Sequence, residues 1–295
     1  MASVTTDPAP PTTETSYWRS GRRRRLVGMV LTYIALIVLA LIFLFPLYVM
    51  VRNALMTNRQ ITAFEWLWLP NPPQWSNISE LFDNSQIVTG LRNSAVIAIV
   101  NLIFQTLFAS MAGYALARIP VPGRQYVFFG MLATLMVPGA VTFVPTFAVV
   151  SYLGGVNTIW GIVVPGLFSV FSTFLFRQFY LDFPVEIEEA SRLDGASFLR
   201  TYAGIALPNS YGIMAALGAL SFINSWNAFL WPLVIGRNEA SRTVQVVLSS
   251  FLTAQTINLS QLFIAAVVGA LPLVLVFLVL QRYIVQGVRL SGVKG

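Results

Sequence analysis

The chain has 295 residues, 56% hydrophobic and 10% charged, against about 25% charged in an average soluble domain. Its 18 Lys and Arg exceed its 11 Asp and Glu to leave +7, and it has neither Cys nor His, which excludes a disulfide scaffold, a thiolate nucleophile and the usual zinc ligand set. The charges are absent from long stretches of the chain, as in a membrane protein.

Residues 1–17 are rich in Thr and Pro and lack apolar periodicity, and with the basic cluster Arg19, Arg22, Arg23, Arg24 and Arg25 they predict a disordered basic tail over 1–25. The remainder, 26–295, reads as one membrane domain. Apolar runs lie at 28–51, 94–117, 126–151, 159–176, 211–235 and 262–281, and none contains Asp, Glu, Lys or Arg. A hydrocarbon core of about 30 Å takes roughly 20 helical residues. The runs are continuously apolar and do not alternate with period two, which excludes a transmembrane barrel. The expectation is an all-α membrane protein with six transmembrane helices. The first run is too long for a signal-peptide core and lacks a clear small-residue cleavage site, so it is expected to be retained.

With the N-terminus in the cytoplasm, thirteen basic residues fall inside and five outside, Arg52, Arg59, Arg92, Arg237 and Arg242. That agrees with the positive-inside rule and places both termini in the cytoplasm. The positive charge is thereby accounted for by topology, and no nucleic-acid partner is expected. Outside, 52–92 carries Trp66, Trp68 and Trp75 among three prolines, followed by a polar stretch suited to a short helix. Its tryptophans fit either lipid headgroups or an extracytoplasmic partner.

Inside lies the segment 178–208. Pro184 suits a helix's first turn, Glu186, Glu188 and Glu189 complement its dipole, and Gly195 suits a left-handed stop. Ser197 then caps a second short helix. Ile187, Ala190 and Leu193 form a narrow apolar stripe with no bulk at its centre.

Glu189, Ala190 and Ser191, then Gly195, Ile205, Leu207 and Pro208, stand at the spacing of the EAA signature. The chain thus resembles the permeases of ATP-binding-cassette importers, and within them the carbohydrate importers of the maltose type. The stretches AGYALARIPVPGR (112–124), MVPGAVTFVPTF (136–147) and SWNAFLWPL (225–233) and the terminal GVKG are also similar, while Ser191 replaces the second Ala and Leu290 and Ser291 depart from the usual small residues. The resemblance implies a non-catalytic half-pore subunit in a bacterial or archaeal cytoplasmic membrane. Its implied partners are a second homologous permease, two copies of a cytoplasmic ATPase and an extracytoplasmic solute-binding protein. The EAA loop would be the coupling helix, with Glu189, Ala190, Asp194 and Gly195 at the ATPase contact.

The residues agree independently on energy supply. There is no GxxxxGK phosphate loop, so ATP must be bound by partners, and no ionisable side chain lies in a span to couple transport to an ion. No cofactor or metal of its own is expected. Without His or an intraspan Asp, an intramembrane protease is excluded. For the solute path, Asn224, Asn227 and Trp231 stand at i, i+3 and i+7 in the fifth run and would share a face suited to a sugar, or bond neighbouring helices and anchor at the interface. Asn101 and Gln105 in the second run, one turn apart, face the path or another helix. Pro138, Gly139 and Pro145 interrupt the third run for gating or packing. The cargo expected is a sugar or oligosaccharide, the alternative a polyol, a glycerol-phosphate compound or another polar solute.

Overall fold

The computed structural model describes residues 14–83, 85–252 and 258–292, with 14–24, 85 and 282–292 as backbone only. The expected tail up to residue 13 and the last three residues of GVKG lie outside the described residues. The chain divides into two compact units, 1–52 and 53–295. The first is formed by helix α1 (Glu14–Ala54), whose side chains from Leu26 to Leu47 are exposed and apolar almost throughout. The helix reaches back into the stretch expected to be tail, because no proline stands between Pro11 and Pro46 and the arginines are good helix formers.

The second unit begins with α2 (Asn58–Ile61) and α3 (Ser76–Asp83). The latter is the short helix expected after the tryptophans, and Asn77 holds it by donating to Ala54 O at 2.8 Å and Met56 O at 3.1 Å. Next comes α4 (Ser85–Arg118), 34 residues without a break. It is followed by α5 (Arg124–Thr134), α6 (Gly139–Tyr152), α7 (Ile159–Val163) with a 3-10 turn over Val164–Gly166, and α8 (Val170–Asp182). The expected inner segment contains α9 (Val185–Leu193), α10 (Phe198–Thr201), a π-turn over Tyr202–Ala206 and α11 (Leu207–Asn209). The chain ends with α12 (Tyr211–Trp226), α13 (Leu230–Ile235), α14 (Val244–Ser250) and α15 (Leu259–Gly292). The fold is all-α, as expected.

Three stretches, Arg25–Ala54, Gln86–Arg118 and Leu259–Gln281, are each long and apolar enough to cross a membrane alone. Three bent pairs bring the number to at most six: α5 with α6 at 99°, Ile159–Gly166 with α8 at 41°, and Phe198–Asn209 with α12 at 78°. The third run is therefore broken at Pro138 and Gly139, as expected, and the fourth is broken where a continuous span was expected. Pro138 and Pro165 lack an N–H and oppose a continuing helix, and the Ser169 hydroxyl caps the restart by accepting from the Ser172 N–H at 3.1 Å. Pro145, by contrast, lies inside α6 without ending it.

The fifth run differs more. A continuous helix over 211–235 was expected, but α12 stops at Trp226, and Asn227 is its C-cap. The ring of Pro232 would meet the carbonyl of Ala228 in a continuous helix, so the chain leaves helical geometry and restarts as α13. Trp226 is buried and donates from Nε1 to Gly269 O on α15 at 2.9 Å.

Helix α4 is the spine of this unit. It packs against α8, α12 and α14 and contributes to all three apolar clusters, through Ile87 and Ala98, through Ala109, Tyr114 and Ala117, and through Ile97. It approaches α8 tightly at Gly113, where a Cβ would stand 2.6 Å from Phe176 Cβ. Only glycine fits there.

Candidate functional site

Two places in the second unit gather functional side chains: the turn and helices around α9, and a cavity beside the middle of α4. Both are built on α4.

Helix α9 has Pro184 as its N-cap and Asp194 as its C-cap, after which Gly195 takes φ +84°, the left-handed stop its residue type suggests. The Ser197 hydroxyl accepts from the Arg200 N–H at 3.4 Å and caps α10. Glu189, Ala190, Asp194 and Gly195 are all exposed. So are Ile187 and Leu193, the latter 89% exposed. The expected stripe is therefore a free apolar surface on a helix of nine residues, with acidic groups beside it.

Glu188 turns the opposite way. It is 3% exposed, its Oε1 stands 3.1 Å from Arg118 Nε, and its Oε2 accepts from the Tyr114 hydroxyl at 3.1 Å. Arg118 also donates to the Phe183 carbonyl in the turn before α9. Next to this pair, Ser110 and Tyr180 share a hydrogen bond of 2.7 Å, the Tyr202 hydroxyl donates to Ser110 Oγ at 3.1 Å, and the Tyr180 hydroxyl donates to Ser210 Oγ at 3.2 Å. The rings of Tyr180 and Tyr202 lie 5.3 Å and 5.1 Å from that of Tyr114. Among three glutamates in four residues, sequence reasoning singled out Glu189 and missed Glu188. The available signal was Arg118, a cation at the end of an apolar run that needs an anionic partner.

The cavity has a volume of about 410 Å³ and is lined by Asn101 and Gln105 of α4, Ser221, Asn224 and Ser225 of α12, and Trp231 of α13. The broken segment at Pro165, Gly166 and Ser169 forms another wall, an arrangement in which irregular backbone borders a cavity instead of lipid. Asn101 Nδ2 donates to Ser225 Oγ at 3.0 Å, and Gln105 Nε2 donates to Gly166 O at 2.6 Å. Trp231 donates from Nε1 to Gly161 O at 3.2 Å, and its ring meets Phe143 edge-on at 5.6 Å. Among the described residues, no charged side chain lines the cavity. Asn101 Oδ1 and Ser221 Oγ are buried there without a hydrogen-bond partner, a costly state for polar atoms.

Four of the five residues expected on the path thus meet at one cavity, where Asn101 and Gln105 also make the bonds to neighbouring elements that were the alternative. Asn227 does not join them. The helix end at Trp226 removes the common face expected for Asn224, Asn227 and Trp231, and Asn227 is exposed, accepting at Oδ1 from Gln245 Nε2 at 3.3 Å. Ser221 and Ser225 were missed, although two hydroxyls one turn apart in an apolar run are a usable signal.

Residues 105–290 match the family described as binding-protein-dependent transport system inner membrane component. The chain is 32% identical over 260 residues to the arabinooligosaccharides transport system permease protein AraQ of Halalkalibacterium halodurans, covering 87% of this chain and 93% of that protein. It is also 32% identical over 266 residues to the sn-glycerol-3-phosphate transport system permease protein UgpE of Yersinia enterocolitica, covering 88% and 95%. Among solved structures, a chain of a bacterial ABC transporter involved in the import of the acidic polysaccharide alginate superposes with a TM-score of 0.77 at 22% identity, over 89% of this chain and 98% of that one. This last likeness concerns the fold.

Proposed function

The chain belongs to the family of binding-protein-dependent transport system inner membrane components, and on that footing we propose that it is the permease subunit through which an ATP-driven importer takes up a neutral sugar or oligosaccharide. It is a multi-pass protein of the cytoplasmic membrane that works with a solute-binding protein and an ATPase. A second homologous permease completes the pore, two ATPase copies drive it, and both termini face the cytoplasm. The exposed face of α9, with Glu189, Ala190, Asp194 and Gly195, is where the ATPase presses.

The observation that carries the cargo reading is the uncharged polar lining of the cavity at Asn101, Gln105, Asn224 and Trp231. Amide and hydroxyl groups serve a solute rich in hydroxyls, while a phosphate favours Arg or Lys. The relatives are named for arabinooligosaccharides and for sn-glycerol-3-phosphate, and the lining favours the first of these chemistries.

The test is uptake into proteoliposomes holding the complete transporter and its binding protein. Labelled neutral oligosaccharides should accumulate only with internal or external ATP on the ATPase side, and glycerol phosphate should compete weakly. Accumulation of glycerol phosphate alone would overturn the cargo reading.

A further inference from the structure

A push on the exposed face of α9 has two routes toward the cavity. One follows the chain, through the left-handed turn at Gly195, α10, the π-turn over Tyr202–Ala206 and the 78° bend before α12. That route has a joint at every step. The other crosses directly to α4, which is unbroken from Ser85 to Arg118.

The crossing is made by Glu188. A carboxylate is expensive to bury unless it is paired and hydrogen-bonded, and this one has an ion pair to Arg118 at 3.1 Å, without a hydrogen bond between Nε and Oε1, and a hydrogen bond from the Tyr114 hydroxyl at 3.1 Å, both on the final turn and a half of α4. Glu186 and Glu189 on the same short helix remain exposed, so the burial of Glu188 is specific to its face. Arg118 adds its bond to the Phe183 carbonyl, which fastens the entry to α9 as well as its middle. On the same α4, Gln105 and Asn101 line the cavity, about 20 to 25 Å away at 1.5 Å per residue.

We infer that Arg118, Glu188 and Tyr114 form a clamp that makes α9 and α4 move as one body, so that force on the loop reaches the cavity through α4 and not along the chain. This rests on the permease reading above. Glu188 is then a positioning residue: it touches neither nucleotide nor solute, and its charge is required because only a charge-assisted contact holds both Arg118 and Tyr114 against a displaced helix. A rigid element shifting between discrete states is an ordinary carrier of such coupling.

The experiment uses the complete transporter in proteoliposomes. Glu188→Gln keeps the side chain's size while removing its charge, and should lower the solute imported per ATP hydrolysed about tenfold in complexes that remain assembled. The exchange Arg118→Glu with Glu188→Arg should recover more than half of that loss. A merely structural role would reduce the amount of complex and leave the ratio intact, and an unchanged ratio in Glu188→Gln overturns the clamp.

The native pair gives a second readout that needs no loss of function. Because the chain has no Cys, spin labels can be placed at Arg192→Cys on α9 and Met111→Cys on α4, both exposed positions. Their separation should stay fixed between nucleotide-free and ATP-bound complexes, and a change between those states overturns the clamp whatever Glu188→Gln does. Failure of the native transporter to import a neutral oligosaccharide counts against the cargo reading and leaves the spin-label separation to decide the clamp.

Discussion

The loop end of the second unit and the cavity beside α4 are both polar islands in apolar surroundings, but the first joins charged groups and hydroxyls while the second is lined by uncharged groups alone. Around Tyr114 and Glu188, Ser110, Tyr180, Tyr202 and Ser210 bond one another, and Arg118 Nε pairs with Glu188 Oε1 by charge, without a hydrogen bond between those two atoms. At the cavity, Asn101 Oδ1 and Ser221 Oγ are left without partners. A linked network fixes one arrangement of its helices. Unpaired polar atoms can gain from rearranging, as a changing pore must. On the proposed function, the difference places the hydroxyl-bonded, charged cluster where force would enter and the uncharged lining where solute would pass.

Breaking the rigid end should have the largest effect. Glu188→Ala leaves the Arg118 guanidinium without its buried partner, and loss of one member of a buried pair costs about 3–5 kcal/mol. Thermal unfolding of the purified transporter should show that cost as a clear fall in Tm, and a Tm equal to wild type would show that the pair is solvated.

Next comes Gly113→Ala, which sets a methyl group 2.6 Å from Phe176 Cβ. Overpacking of this kind costs about 1–3 kcal/mol. It should lower Tm and separate α4 from α8, and reverting part of the volume with Phe176→Leu should restore some of the loss.

A smaller effect follows at the free edge of the same region. Gly195 has φ +84° with nothing near its missing Cβ, so Gly195→Val strains the backbone by about 1–2 kcal/mol without any clash. The spans should insert normally while uptake per ATP falls. Equal coupling in the variant would mean that the turn tolerates another conformation.

The smallest effect sharpens the comparison at the cavity. Asn227→Ala removes an exposed side chain outside the lining, and should change stability by no more than about 0.5 kcal/mol with uptake intact. Trp231→Ala should reduce uptake, because it opens the wall shared with Gly161 and Phe143. Equal uptake defects in the two variants would contradict the placement of the cavity.

Much of this was legible in the sequence because it depends on local chemistry. Continuous apolar runs gave the helical class, and Pro184, Gly195 and Ser197 marked the helix boundaries of the loop. Pro138 and Gly139 marked the break in the third run, but the breaks in the fourth and fifth were harder, because their residues are equally apolar on both sides and hydropathy does not register a bend. Asn227 was misplaced for that reason: one uninterrupted helical period was carried past Trp226, where Pro232 prevents it. Glu188 was missed because the direction of a nine-residue helix is set by what lies beneath it, and Arg118 is 70 residues away in the chain. Asn101, Gln105, Asn224 and Trp231 could be named from their polarity, but their meeting depends on the packing of α4 against α12.

The most direct measurement of the central claim, that the exposed face of α9 receives the ATPase, uses the absence of Cys. Ala190→Cys places a single thiol at the centre of the exposed stripe. In the complete transporter it should crosslink to a single Cys in a surface groove of the ATPase, with a yield that differs between nucleotide-free and ATP-bound states. A thiol that never crosslinks, and that reacts with a bulky aqueous reagent equally fast in the assembled complex and in the isolated permease, would contradict the account.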